Sequence, residues 1–83
     1  MRVEYDERAD AIYIRLRDAP YAHGKILDDD RNIDYDADNA PIGVELLNVS
    51  LGVNPDDLPE RDAIVRALED HHIKVFASNN PSS

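Results

Sequence analysis

Alternating apolar and polar residues near the N-terminus predict a β-hairpin. In the run AIYIRLR, residues 11–17, Ile12, Ile14 and Leu16 share one face of an extended chain, and the residues between them share the other. A period of two with β-branched and aromatic residues is typical of a strand with one buried face. The shorter run RVEYD, residues 2–6, alternates in the same way. We therefore predict two antiparallel strands joined by a short polar turn.

Two further strands are predicted after this hairpin, and the first of them is interrupted. DAPYAHG, residues 18–24, has the composition of a loop. KILDDDRNIDYD, residues 25–36, begins and ends like a strand, but its consecutive aspartates predict a bulge or break at Asp28–Asp30. IGVELLNVSL, residues 42–51, is the most strand-like run. Its apolar residues fall on both faces, with Ile42, Val44 and Leu46 on one and Leu47, Val49 and Leu51 on the other. We expect the helix to cover one face and a second subunit to cover part of the other.

The C-terminal third predicts one helix. ERDAIVRALEDHH, residues 60–72, carries an apolar stripe formed by Ile64, Val65 and Leu68. Asp57 and Glu60 have the spacing of a capping box at its start. The run IKVFAS, residues 73–78, has the pattern of a short closing strand at the sheet edge.

Together these elements predict an α+β fold, an antiparallel sheet of about four strands in two hairpins packed by one C-terminal helix. A short final strand at the sheet edge is kept as an alternative ending of this fold. Residues 1–77 are expected to form a single domain, with residues 78–83 as a mobile polar tail.

Composition narrows the classes of function. The 83 residues include 18 acidic and 9 basic side chains, a formal net charge of −9, which repels nucleic acid and anionic membranes and favours basic partners. The absence of cysteine excludes disulfides and thiolate chemistry. A core this small suggests support from a homodimer. With no apolar segment typical of a signal peptide or a membrane span, a cytoplasmic location is expected.

The stretch DYDADNAPIGVE, residues 34–45, resembles a calcium loop in its spacing of acids. The ligands would be Asp34, Asp36, Asp38 and Glu45. Asn39 stands where such a loop has glycine, and the flanks alternate as strands where an EF-hand has helices. We favour a hairpin turn, and keep calcium binding as the alternative.

Two further groups of residues are weaker candidates for a functional site. Glu69 and His72 have the spacing of a Glu-x-x-His half-site, but the further glutamates of such a centre are missing. Tyr13, Arg15 and Arg17 form a stripe that resembles a base-stacking face, which the net negative charge disfavours. No catalytic constellation or cofactor motif is visible, so neither an enzyme nor a cofactor is expected.

Two blocks of the sequence resemble a family of small prokaryotic proteins, domain of unknown function 2283. The first block consists of Tyr5, Asp6, Ala9, Asp10, Ala11, Tyr13, Ile14 and Leu16. The second consists of Asp34, Tyr35, Asp36, Gly43, Glu45, Leu47 and Ser50. The resemblance covers residues 3–51 and departs from the pattern at Asn39, where the family usually has glycine. It implies antitoxin-type partners, through neighbouring genes that resemble small ribonuclease toxins, and it implies no catalytic residues.

These observations predict a small protein-interaction module, antitoxin-like, with a basic partner encoded nearby. The acidic segment Asp28–Asp38 is the expected contact surface. Within it the candidate partner-binding residues are Asp28, Asp29, Asp30, Asp34 and Asp36.

Overall fold

The computed structural model describes residues 1–76 and forms an antiparallel sheet with one C-terminal helix. The strands are β1 (Arg2–Asp6), β2 (Ala11–Arg15), β3 (His23–Asp28), β4 (Arg31–Tyr35) and β5 (Pro41–Leu47). A 3₁₀ turn (Val49–Leu51) and helix α1 (Arg61–Asp70) follow. The strand order is β1-β2-β5-β4-β3, so β5 lies between the two hairpins. The α+β class is confirmed. The expected count of about four strands is low, because the sheet has five.

The fifth strand arises where the sequence predicted only a bulge or break. Asp28 pairs with Arg31 across a tight turn, so the aspartates separate two strands. The Asp28 carboxylate accepts the backbone N–H of Asp30 at 3.0 Å and the Arg31 Nε–H at 2.8 Å. Short acidic side chains suit a turn because they accept hydrogen bonds from nearby backbone amides. The segment predicted as a loop also ends early, since β3 already begins at His23.

The core lies between one face of the sheet and the C-terminal half of the chain. Its largest part consists of Ile12, Ile14, Ile33, Val44, Leu46, Ile64 and Leu68. In β2 these residues alternate with half-buried ones, as the period of two predicts, whereas in β5 the glycine before Val44 is buried as well. Ala67 of the helix is buried where Val65 is only half-buried, so the apolar stripe is rotated slightly from the prediction.

The prediction of a strand with two apolar faces is wrong. β5 ends at Leu47, and Asn48 turns the chain into the 3₁₀ segment with a left-handed φ of 53°. Val49 then enters the core, whereas Leu51 is 73% exposed. The second face of β5 presents Gly43 and Glu45 instead. This removes the reason for expecting a second subunit on that face, and the homodimer stays a prediction without it.

The helix begins without the predicted capping box. Its N-cap residue is Glu60, with a φ of 49° and no side-chain cap, and Asp57 adopts a left-handed φ of 67° in the preceding turn. The predicted closing strand reduces to an isolated parallel bridge between Val53 and Val75, outside the five strands of the sheet. The predicted polar tail, and the last two residues of that predicted strand, lie outside the described residues. Within residues 1–76, no helix is long and apolar enough to cross a membrane.

Candidate functional site

The face of the sheet opposite the core, called the outer face here, brings together polar side chains from several strands. The strand register places two rows of residues across it. One row is Glu4, Tyr13, Glu45, Asn32 and Ile26. The other is Arg2, Arg15, Gly43, Asp34 and Gly24. The helix packs on the other face, so it leaves the outer face uncovered.

Tyr13 crosses the central strand to reach Asp34. Its phenol O–H donates to Asp34 Oδ2 at 3.0 Å, and its ring passes over Gly43. A Cβ on Gly43 would overlap the Tyr13 hydroxyl and ring carbon Cζ, so glycine is what allows this crossing. Burial raises the pKa of Tyr13, and the hydrogen bond to Asp34 and the charge of that carboxylate raise it further. The phenol therefore stays protonated and acts as a donor.

A second tyrosine lies on the other side of Asp34. A Cβ on Gly24 would sit 3.2 Å from the Tyr21 hydroxyl and 3.4 Å from Asp34 Oδ1. Asp34 thus lies between two phenols, each above a glycine of a neighbouring strand. Tyr21 itself is exposed, and this gives the outer face an aromatic wall beside a carboxylate.

An open groove of about 260 Å³ lies beside Asp34 and is called the acidic groove here. Its lining consists of Tyr21, Gly24, Lys25, Ile26, Asn32, Asp34 and Glu45. Asn32 Nδ2 donates to Glu45 Oε1 at 3.0 Å, which orients that carboxylate. The other amide atom of this side chain, Oδ1, is buried with no hydrogen-bond partner among residues 1–76. The groove therefore offers oxygen acceptors between an aromatic and an aliphatic wall.

The structure divides the predicted acidic contact segment between the two ends of β4. Asp28 ends β3, Asp29 and Asp30 form the β3–β4 turn, and Asp36 lies past the other end of β4, about 20 Å from Asp30 at ~3.3 Å per strand residue. Asp36 is only 8% exposed and accepts the backbone N–H groups of Asp38 and Ala40, both at 2.9 Å. It serves the turn, whereas Asp34 alone of the five lies on the outer face.

The pKa shifts support this division. The Ala40 amide hydrogen bond, ahead of opposing burial, holds the pKa of Asp36 below its usual range, with further help from the Asp38 amide and Arg17. For Asp28, burial acts to raise the pKa, but the Asp30 amide and the Arg31 guanidinium outweigh it, so the net shift is downward. Both carboxylates are thus held in the charged form by contacts inside the chain.

Three of the four calcium candidates accept hydrogen bonds from different partners, and the fourth, Asp38, is exposed in the turn. Asp34 accepts from Tyr13, Asp36 accepts turn amides, and Glu45 accepts from Asn32. In the part of the chain that the structure describes, no group of three or more histidine or acidic side chains is placed to hold a metal ion. Glu69 and His72 are both exposed at the end of the helix, where His72 has a left-handed φ of 58°.

The structure also assigns contacts to residues for which the sequence indicated no role. Asp10, with a left-handed φ of 55°, accepts the Ser50 backbone N–H at 2.9 Å and the Ser50 hydroxyl at 2.6 Å. This joins the β1–β2 turn to the segment after β5. Tyr21, Gly24 and Asn32 were likewise not predicted, because their relation to Asp34 depends on strand pairing that the pattern of β3 did not reveal.

The comparisons with known proteins give one family. The family model described as "Protein of unknown function (DUF2283)" matches residues 2–50. That range includes both motif blocks and all the outer-face residues of the two rows. No curated protein and no solved structure matches the chain.

Proposed function

The chain belongs to the DUF2283 family of proteins of unknown function, and from that premise we propose that it is a small protein-interaction module whose acidic groove binds a basic partner protein. The arrangement that carries this proposal is Asp34 and Glu45 held on one open face, between Tyr21 and Ile26. A lysine or arginine side chain has a charged end for the carboxylates and an aliphatic stem for the apolar walls. An aromatic ring beside the cation adds further attraction.

The acids outside the groove have a different role in this proposal. The chain carries a net charge of −9, and the exposed Asp29 and Asp30 stand at the tip of the β3–β4 turn. Exposed charges of this kind mainly accelerate the encounter with an oppositely charged protein, and their effect falls with salt. Asp36 is excluded from the contact surface, because its carboxylate is occupied by the β4–β5 turn.

The finer form of the proposal keeps the expectations drawn from the sequence. The partner would be a basic, toxin-like nuclease encoded nearby, and the chain its antitoxin-like counterpart in the cytoplasm, acting as a homodimer. No catalytic role is assigned to the chain.

The test is titration calorimetry between the purified protein and the product of the adjacent gene. We expect Glu45→Gln to weaken binding on the order of tenfold, because it removes one carboxylate charge from the groove. The matched control is Glu69→Gln, which removes the same charge from an exposed position on the helix. Asp28, Asp29 and Asp30 changed together to Asn should mainly slow association and reduce its salt dependence. Absence of binding, or equal weakening by Glu45→Gln and Glu69→Gln, contradicts the proposal.

A further inference from the structure

Three arginines meet at one corner of this acidic protein, and Arg2, Arg15 and Arg17 are together called the arginine corner here. They line one open cavity of about 170 Å³, whose remaining lining residues are Met1, Leu16 and Asp18. Arg2 and Arg15 are direct cross-strand neighbours in the β1–β2 pair. One third of the basic side chains of the chain, three of nine, therefore line a single cavity that contains one acid.

This arrangement has an electrostatic cost within the chain. Like charges directly opposite each other on adjacent strands are destabilising. The nearest carboxylates only partly offset the charge, since Arg2 lies 3.9 Å from Glu4 and Arg17 lies 3.9 Å from Asp36. Exposed ion pairs at such distances contribute little.

Arg15 has the least compensation of the three. Among the described residues it takes part in no ion pair, and its Nε is buried without a hydrogen-bond acceptor. Its guanidinium carbon lies 5.7 Å from the centre of the Tyr13 ring. Asp34 is in the same row beyond Gly43, but Tyr13 crosses between them and donates its own O–H to that carboxylate. The Asp34 carboxylate is thus bound to Tyr13 and forms no ion pair with Arg15.

We propose that the arginine corner binds a small oxyanion, either a phosphate or a carboxylate. Guanidinium groups suit both, because their fixed N–H pairs match two oxygens of one anion. The anion would contact the terminal nitrogens of Arg15, since Nε itself is enclosed, and would relieve the repulsion between Arg15 and Arg2. This site is independent of the acidic groove, which has carboxylate and amide acceptors in its lining and for which a basic partner is proposed above.

The ligand class follows from charge as well as from shape. A polyanion such as nucleic acid would extend past the corner and meet the acidic remainder of a chain with a net charge of −9. A compact anion contacts the arginines alone and avoids that repulsion. Asp18 on the cavity lining further favours a ligand small enough to bind on the arginine side.

The experiment follows the arginine Nε–Hε signals by NMR as sodium phosphate or sodium acetate is added, with sodium chloride at matched ionic strength as reference. We expect saturable shifts at Arg15, Arg2 and Arg17 with phosphate or acetate, and none at Arg66. The two titrations distinguish a phosphate ligand from a carboxylate. Shifts that do not saturate, or that chloride reproduces, would overturn the proposal.

Matched variants separate a specific site from general charge. Arg15→Gln should weaken anion binding on the order of tenfold, whereas Arg8→Gln removes the same charge from the exposed β1–β2 turn and should change nothing. If Arg15→Gln fails to fold, Arg17→Gln on the exposed side of the cavity makes the same comparison and should weaken binding severalfold. Equal weakening by the Arg8 and corner variants, or tighter binding of a short single-stranded oligonucleotide than of phosphate, would refute a small-anion site.

Discussion

The same strands form both faces of the sheet, but different physical interactions stabilise each face. On β5, Ile42, Val44 and Leu46 are at most 1% exposed and face the core, while Gly43 and Glu45 between them face outward. Burial of apolar surface stabilises the inner face. This stabilisation depends on the volume of the buried side chains and hardly on which apolar side chains are in contact. The outer face is held by individual contacts, such as that of Tyr13 with Asp34, which depend on particular atoms.

The comparison indicates where stability and function reside. Changing an inner residue should lower the stability of the fold, and changing an outer residue should leave the stability nearly unchanged but alter the surface. Gly43 is the exception, because it affects both stability and the outer surface. Its backbone lies at the centre of the sheet, and its missing side chain leaves room for Tyr13 on the outer face.

The largest effect is expected from Ile14→Ala on the inner face. Ile14 is fully buried in the core, and its truncation should lower the free energy of unfolding by about 3 kcal/mol through lost transfer energy and a residual cavity. A total stability of roughly 5–15 kcal/mol is usual for such domains, so the loss would be a large fraction of it. Urea denaturation followed by circular dichroism measures the difference.

The matched control is the same substitution on the outer face. Ile26 is 76% exposed, and Ile26→Ala should change the free energy of unfolding by less than about 0.5 kcal/mol. If the two substitutions cost the same, Ile26 is covered by something in solution, and the openness of the outer face would be contradicted. A protein concentration series would then show whether a second copy covers it.

The inner face is the part of the fold that the sequence predicts well. The alternation at residues 11–16 gives Ile12 and Ile14 as core residues, and both are buried. Helix α1 is also predicted, because its apolar stripe repeats at the helical period. β3 is missed as a separate strand, because His23 to Asp28 are exposed except for half-buried Leu27, and an edge strand without a buried face shows no clear alternation.

The outer face could not be predicted as a site, although several of its residues lie in the family blocks. Tyr13 and Asp34 are 21 positions apart and meet only because β5 is inserted between β2 and β4. A sequence pattern indicates which residues share a face of one strand, but not which strands are neighbours. A sequence pattern also does not reveal a shift in register. Such a shift beside Tyr35 places Asp36 in the β4–β5 turn, while Asp34 stays on the outer face.

A smaller effect is expected from Gly43→Ala, which tests the link between the faces. The added Cβ would overlap Tyr13, and we expect a loss of about 1–3 kcal/mol in the free energy of unfolding as the ring is displaced. In the Tyr13→Ala background the same change should cost nothing or be slightly favourable, because alanine suits a strand better than glycine. A double-mutant cycle by urea denaturation measures this coupling.

Gly24→Ala is the control for that cycle. Its added Cβ would meet chiefly the hydroxyl of the exposed Tyr21 side chain, which can move aside. The substitution should therefore be nearly neutral. Additive effects of Gly43→Ala and Tyr13→Ala would show that the crossing of Tyr13 over β5 is not what requires glycine.

The smallest effect concerns protonation on the outer face. Burial first, and then the hydrogen bond and charge of Asp34, raise the pKa of Tyr13 above its ordinary value of about 10, against an opposing effect of Arg15. Because the folded state holds this proton more tightly, its contribution to stability is present below about pH 10 and is lost as the pH rises through the raised pKa.

Absorbance at 295 nm follows the titration of the four tyrosines. Tyr13→Phe should remove a step above the ordinary value, and Tyr21→Phe should leave that step in place. Asp34→Asn should lower that step only in part, because burial, the largest cause, remains. A step at the ordinary value for Tyr13, or one that Asp34→Asn does not move, would show that the outer face leaves this phenol open to water and that its bond to Asp34 is not maintained in solution.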